Sequence, residues 1–284
     1  MSTETAFSFE CHGEQLPGIL HVGDPGSTRG VLVIVGGPQY RAGSHRQFVL
    51  LARGLAARGI PVMRFDFRGM GDAGGDWRDF TAIDEDIRAA MDAFQARQPG
   101  LREIVLWGLC DAASAALFYG WRDARVAGMV LLNPWVRTEA GEARAYLRHY
   151  YVRRLASRAF WRKLLGGGLD WLASLRGLAG RLARARAGDG NGSPQDGADD
   201  GRSLPERMAD GLERFRGPVL CVLSGNDLTA AEFRDTVAAS ARWRGLMEDD
   251  RVRRVELAAA DHTFSRRAWR DEVTRHTGEW VEAL

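Results

Sequence analysis

Apolar positions along the chain fall into two alternating patterns. Gly30 to Val35, Ile104 to Trp107, Val126 to Leu132 and Pro218 to Leu223 are short continuous apolar runs, the pattern of strands buried on both faces. Between them, Phe48 to Leu55, Ile83 to Gln95 and Glu232 to Arg242 carry apolar residues at helical spacing. Pro61 to Phe67 and Val252 to Leu257 read as two more strands, and Ala268 to Leu284 as a last helix. Ahead of all these, Phe7 to Cys11 and Pro17 to His21 read as two short strands joined by a turn at Gly13 and Glu14. Strand and helix in alternation predict an α/β fold, a mostly parallel central sheet flanked by helices.

One stretch breaks the alternation. From Thr138 to Leu182 the pattern is helical throughout, dense in arginine and in aromatics such as Tyr146, Tyr150, Phe160, Trp161 and Trp171. Ala187 to Gly201 is then Gly, Asp, Asn, Ser and Pro with almost no apolar residue, a composition that cannot support a core. The expected division is a sheet domain formed by 1–135 and 216–284, split by a helical cap insertion over 136–215 with a mobile loop at about 187–203. The arginines of the insertion fit an anionic substrate such as an acyl-CoA, and they equally fit the solvated faces of amphipathic helices. Its aromatics are candidates for the roof of an acyl pocket.

Composition narrows the class without naming a partner. With 284 residues, 45% of them hydrophobic, the chain can bury a sizeable core, and a formal charge of +2 points to no nucleic acid. Cys11, Cys110 and Cys221 lie far apart with no C-x-x-C spacing, so neither a disulfide framework nor a metal site is expected. No apolar run reaches 18 residues and no signal-peptide pattern opens the sequence, so the expectation is a cytoplasmic protein with no integral membrane segment.

The candidate chemistry begins where the strand Ile104 to Trp107 runs into Gly108-Leu109-Cys110-Asp111-Ala112 and on into a small-residue helical pattern. Strand, sharp turn and helix in that order put Cys110 at the turn. In the G-x-S-x-G elbow, small residues two before and two after the nucleophile let strand and helix approach closely. Here cysteine stands for serine and Ala112 for the second glycine; a thiol ionises more readily than a hydroxyl. Cys110 also fits a merely small, buried residue at a βα turn. Ser114 is a weaker alternative nucleophile, one turn inside the helix.

Two further strand ends carry matching groups. Asp227 follows Val219 to Leu223, and His262 follows Val252 to Leu257. Either residue alone fits a turn former or a surface side chain, but their order after Cys110, nucleophile then acid then histidine, is the order a Ser-His-Asp-type triad takes on this topology. In that arrangement His262 takes the thiol proton and Asp227 fixes its tautomer. An oxyanion needs two N–H donors: the amide of Asp111, and one from the loop after Val35, where Gly37 is preferred and Gln39 is the reserve because Pro38 has no N–H. His45, Arg41, Arg68 and Trp135 are candidates for the substrate-binding mouth, with solvated surface as the other reading of the first three. Gly69 to Gly74 spells G-x-G-x-x-G, but a loop follows it where a dinucleotide site requires a helix.

These residues support a resemblance. The strand order, Gly36-Gly37-Pro38, Asp66-Phe67-Arg68-Gly69-Met70-Gly71, the cysteine elbow and the turns at Asp227 and His262 resemble the α/β-hydrolase superfamily, of the type with a helical cap. Gly36 to Phe48, Gly108 to Ala116 and Asn133 to Thr138 further resemble the exosortase A system-associated hydrolases, type 1. That resemblance implies a bacterial exopolysaccharide and protein-sorting setting and supplies no substrate. The expected function is a cysteine-dependent hydrolase or acyltransferase acting on an ester or thioester, with no cofactor. A non-catalytic scaffold binding an acylated or saccharide ligand is the alternative. The expected partner is a small-molecule or acyl-carrier-bound substrate, and a homodimer is left open.

Overall fold

The computed structural model describes residues 4–37, 39–136 and 201–284. Eight strands form one sheet in the order β1-β2-β4-β3-β5-β6-β7-β8. They are β1 (Glu4–Cys11), β2 (Glu14–His21), β3 (Arg29–Ile34), β4 (Val62–Phe65), β5 (Glu103–Leu109), β6 (Val126–Leu132), β7 (Val219–Ser224) and β8 (Val252–Leu257). β1 and β2 form an antiparallel hairpin, β2 pairs antiparallel with β4, and every pairing from β4 through β8 is parallel. The helices in chain order are α1 (Gln47–Ala56), α2 (Asp84–Arg97), α3 (Asp111–Tyr119), α4 (Leu204–Arg214), α5 (Leu228–Ala239), α6 (Ala241–Glu248) and α7 (Arg267–Glu282).

The continuous apolar runs follow from a sheet covered on both faces. Along β3 and β5, Leu32, Ile34, Ile104 and Leu106 point into one core, which α2 to α6 complete with Ile87, Phe94, Met208, Phe233 and Trp243. Val31, Val33, Val105 and Trp107 point into the other, with Phe48 and Leu55 of α1 and Val273 and Trp280 of α7. Alternate residues of these two strands therefore serve opposite apolar layers.

Several boundaries differ from those read in the sequence. The hairpin turns at His12 and Gly13, both at positive φ (52° and 83°), and Cys11 pairs with Glu14. That is the two-residue turn matching strand twist, so the turn lies one residue earlier than the expected Gly13-Glu14. The helix expected over Glu232 to Arg242 is two helices, because extended Ser240 ends α5 and its hydroxyl accepts the Trp243 N–H to cap α6. α4, placed by sequence in the insertion, opens with a Ser203/Glu206 capping box and buries Met208 and Leu212 in the same core as α3. The arginine- and aromatic-rich part of the expected cap, 137–186, and the loop over 187–200 lie outside the described residues.

β3 is the topological switch point. The chain leaves it for β4 on one side and returns to β5 on the other, so the carboxyl ends of β3 and β5 diverge into a crevice where α/β sheets bind ligands. Gly36 and Gly37 lie at one lip and Cys110 at the other.

Candidate active site

Cys110 links β5 to α3 in a conformation that L-residues rarely adopt, φ 65° and ψ −125°. Such strain costs about 1–3 kcal/mol and persists only where the surroundings over-determine it. Four backbone bonds do so: the Cys110 N–H donates to the Leu132 carbonyl (2.9 Å), and its own carbonyl accepts from Ala113 (3.1 Å), Ser114 (3.4 Å) and Trp135 (3.2 Å). Gly108 is required for the same reason, since a β-carbon there would collide with the Ala112 carbonyl. Cys110 is half-buried at the start of α3.

His262, after β8, and Asp227, after β7, come together. His262 Nδ1 lies 2.9 Å from Asp227 Oδ2, with the histidine side chain 33% exposed and the aspartate 6%. Asp227 is also the N-cap of α5, accepting from the Thr229 N–H (3.3 Å) and the Ala230 N–H (3.0 Å). One residue thus starts a helix and orients an imidazole, leaving Nε2 as the ring nitrogen for chemistry.

What ties the histidine loop to the ends of β6 and β7 is Asn133, directly after β6, which sequence reading did not single out as a site residue. Buried and at positive φ (44°), it donates from Nδ2 to Ser224 Oγ (2.9 Å) and to the His262 carbonyl (3.1 Å). Its Oδ1 accepts the Ser224 N–H at 2.8 Å, and the Ser224 hydroxyl donates to the Asp261 carbonyl at 2.9 Å. Two residues on, Trp135 bonds the Cys110 carbonyl, so the end of β6 ties together both halves of the site. The one available signal was an asparagine directly after an apolar strand, a residue type that tolerates the left-handed region. Replacing Asn133 with Ala is expected to lower turnover of an ester substrate about tenfold or more while leaving KM within about twofold, because the loss is of alignment rather than of contact. Steady-state kinetics check this; a rise in KM alone would place Asn133 in substrate binding instead.

The sequence matches the family described as Serine aminopeptidase, S33, over residues 26–230. The chain belongs to this family of α/β-hydrolases. No curated protein matches it. Solved structures share the fold at low identity. An esterase of Pyrococcus furiosus is 16% identical with a TM-score of 0.66, covering all of this chain and 93% of that one. Est1E of Butyrivibrio proteoclasticus, solved with ferulic acid, is 16% identical at 0.62 over 98% of each chain. A dienelactone hydrolase of Anabaena variabilis is 15% identical at 0.62, covering 100% of this chain and 98% of that one. The family's name speaks of a serine, whereas position 110 of this S33 hydrolase is a cysteine.

The remaining candidates separate. In this S33 hydrolase the Ser114 hydroxyl is buried and donates to the Trp135 carbonyl at 2.7 Å, so it faces away from the crevice chemistry. Trp135 is half-buried, and its N–H bonds the Cys110 carbonyl beside the elbow. His45 is exposed and near enough to Asp261 for its charge to help lower that carboxyl's pKa; burial opposes the shift and the Ser265 hydrogen bonds drive it. Arg68 corrects the expectation of a rim residue: it is 3% exposed and its guanidinium chelates Asp86, itself 0% exposed, at 2.9 Å through Nε and Nη2. Arg41 is likewise committed, bonding Asp66 (2.5 Å) and Asp72 (2.7 Å) through Nη1. The glycines around them shape a loop, and α2 begins only at Asp84, well beyond the G-x-G-x-x-G run.

The preferred oxyanion donor from the loop after β3 is already engaged. Gly37 N–H donates to Asp111 Oδ2 at 2.8 Å and Ala112 N–H to Asp111 Oδ1 at 2.9 Å. Burial pushes the Asp111 carboxyl above the ordinary carboxylate range, against the downward pull of these donors. Gln39 is corrected as the reserve donor, since its N–H is taken by the Gly37 carbonyl (2.8 Å) and its side-chain carbonyl by the Ser44 N–H (3.1 Å). Among the described residues no cluster of three or more His, Cys, Asp or Glu could hold a metal ion, and no helix is long and apolar enough to cross a membrane.

Proposed function

We propose that this α/β-hydrolase is a cysteine-dependent acyl hydrolase or acyltransferase acting on an ester or thioester, with Cys110 as nucleophile, His262 as general base and Asp227 as the group that orients it. The observation carrying the reading is the strained Cys110 at a switch-point crevice, with a histidine–carboxylate couple of 2.9 Å tied to the same strand end. Strain at a functional position is what an exposed nucleophile requires, and an inert cysteine has no use for it.

The chemistry then follows. His262 Nε2 accepts the thiol proton as Cys110 Sγ bonds the acyl carbon and the carbonyl electron pair moves to oxygen. Collapse of that oxyanion expels the alcohol or thiol, which takes the proton from His262. A water or another acceptor, deprotonated by the same nitrogen, attacks the acyl-cysteine and releases the product and the thiol. Because the intermediate is itself a thioester, transfer to an amine or hydroxyl is as accessible as hydrolysis. The likeness to esterases and to a dienelactone hydrolase supports ester chemistry. An exopolysaccharide and protein-sorting setting rests on the sequence resemblance alone, while a place in the cytoplasm and an acyl carrier as the substrate's donor rest on the sequence pattern alone.

One observation favours a second reading, a non-catalytic scaffold for an acylated or saccharide ligand: the Gly37 N–H that an oxyanion needs is occupied by the Asp111 carboxylate. The two readings separate on p-nitrophenyl esters and acyl-CoA thioesters of graded chain length, with and without an amine acceptor. The enzyme reading expects p-nitrophenol or CoA release and an acyl mass increment on Cys110; an acceptor that captures the acyl group selects transfer over hydrolysis. No release and no increment at any chain length selects the scaffold.

A further inference from the structure

The Asp111 carboxylate already holds one of the N–H groups that the chemistry just proposed needs for its oxyanion. The Gly37 amide donates to it at 2.8 Å, and the elbow geometry assigns that amide to the oxyanion. The arrangement is built rather than incidental. Gly36 lies against this carboxylate, and any side chain there would collide with Asp111 Oδ1, so the loop after β3 keeps open the space the carboxylate fills. Gly37 itself holds φ 61°, with nothing near where a β-carbon would be, a backbone state that glycine adopts freely and that aims its N–H across the crevice. The Gln39 N–H is no replacement, being spent on the Gly37 carbonyl. A carboxylate and a tetrahedral oxyanion cannot both take the Gly37 N–H.

We propose that Asp111 is a resident occupant of the Gly37 side of the oxyanion site, and that acylation of Cys110 requires its carboxylate to swing away from the Gly37 amide. The inference rests on the reading of Cys110 as nucleophile. In the resting enzyme the thiol stays available for direct displacement chemistry while acyl transfer is held back. A substrate acylates Cys110 at the rate at which its carbonyl oxygen takes the place of the carboxylate. Asp111 thereby becomes the residue that sets which esters are fast: those whose remaining contacts hold them in the crevice long enough for the exchange.

Two reactions of the same sulfur test this. Acylation by p-nitrophenyl acetate develops an oxyanion; alkylation by iodoacetamide, a displacement at a saturated carbon, does not. In the full-length protein, Asp111→Ala is expected to speed the p-nitrophenol burst by about tenfold or more, within the ~10²–10³ that one oxyanion donor is worth, while alkylation of Cys110 stays within about threefold. Asp111→Asn keeps the shape but turns an amide N–H toward backbone N–H groups, so it should fall between wild type and Asp111→Ala. It also keeps the question open to measurement if the alanine variant does not fold. A burst that slows or stays unchanged in both variants, with alkylation intact, overturns the proposal and makes Asp111 a helix-start residue or a proton donor. Failure of the underlying reading looks different: Cys110 alkylates no faster than Cys11 in the wild type, and p-nitrophenol release leaves no acetyl on Cys110.

Discussion

Cys110→Ala is expected to lower turnover of p-nitrophenyl and thioester substrates by about 10³-fold or more, with the thermal transition of the protein unchanged within a few degrees. The elbow asks for a small side chain, and alanine is smaller than cysteine, so the fold has no reason to respond. His262→Ala should cost a comparable factor, and the double variant little more than either single one, because nucleophile and base act as one unit. Steady-state rates on the three proteins check this. A double variant losing the product of the two single effects would mean that the residues contribute independently and do not form a couple.

The second large effect is on stability. Asp86→Ala is expected to destabilise the fold by about 3–5 kcal/mol, since it leaves the buried Arg68 guanidinium without its chelating carboxylate. For a chain of this size that corresponds to a fall of roughly 6–15 °C in Tm. The same carboxylate also accepts the Arg68 N–H (3.0 Å), which fixes the loop after β4 to α2. Thermal unfolding followed by circular dichroism measures the effect. Arg68→Met together with Asp86→Leu should recover much of the loss, because it removes both charges rather than orphaning one. A double variant as unstable as the single one would mean that the pair's backbone contact, not its charge, carries the loop.

The contrast between Arg68 and Cys110 shows what the sequence could carry. The central strands were legible because β3, β5, β6 and β7 are covered on both faces and so are continuously apolar, and small residues around Cys110 made the elbow legible for a related steric reason. Arginines are another matter. Arg68 finds Asp86 eighteen residues away, and Arg64, which burial lowers to about 10, donates to a His21 that burial holds neutral, down to about 4. A side chain's letters do not say whether its partner is water or a carboxylate on another element, so candidate rim residues and buried ion pairs read alike. Asn133 was not read as a site residue for the same reason, its two partner residues, Ser224 and His262, lying about 90 and 130 positions downstream. Asp111 was read for its amide alone, and only the folded loop after β3 reveals what its carboxylate meets.

The central claim, that His262 and Asp227 activate Cys110, is most directly tested by competition among the three cysteines of one molecule. Iodoacetamide at neutral pH, quenched at intervals and followed by peptide mass mapping, gives each thiol its own rate. Burial pushes the Cys221 thiol up to about 12 and raises Cys11 as well, so both should be nearly inert while the protein stays folded. Cys110 should label first, and its rate should drop about tenfold or more in His262→Ala and measurably in Asp227→Asn, with the other two cysteines unaffected. A Cys110 rate that is the same in wild type and in His262→Ala would contradict the account, whatever the geometry of the couple beside it.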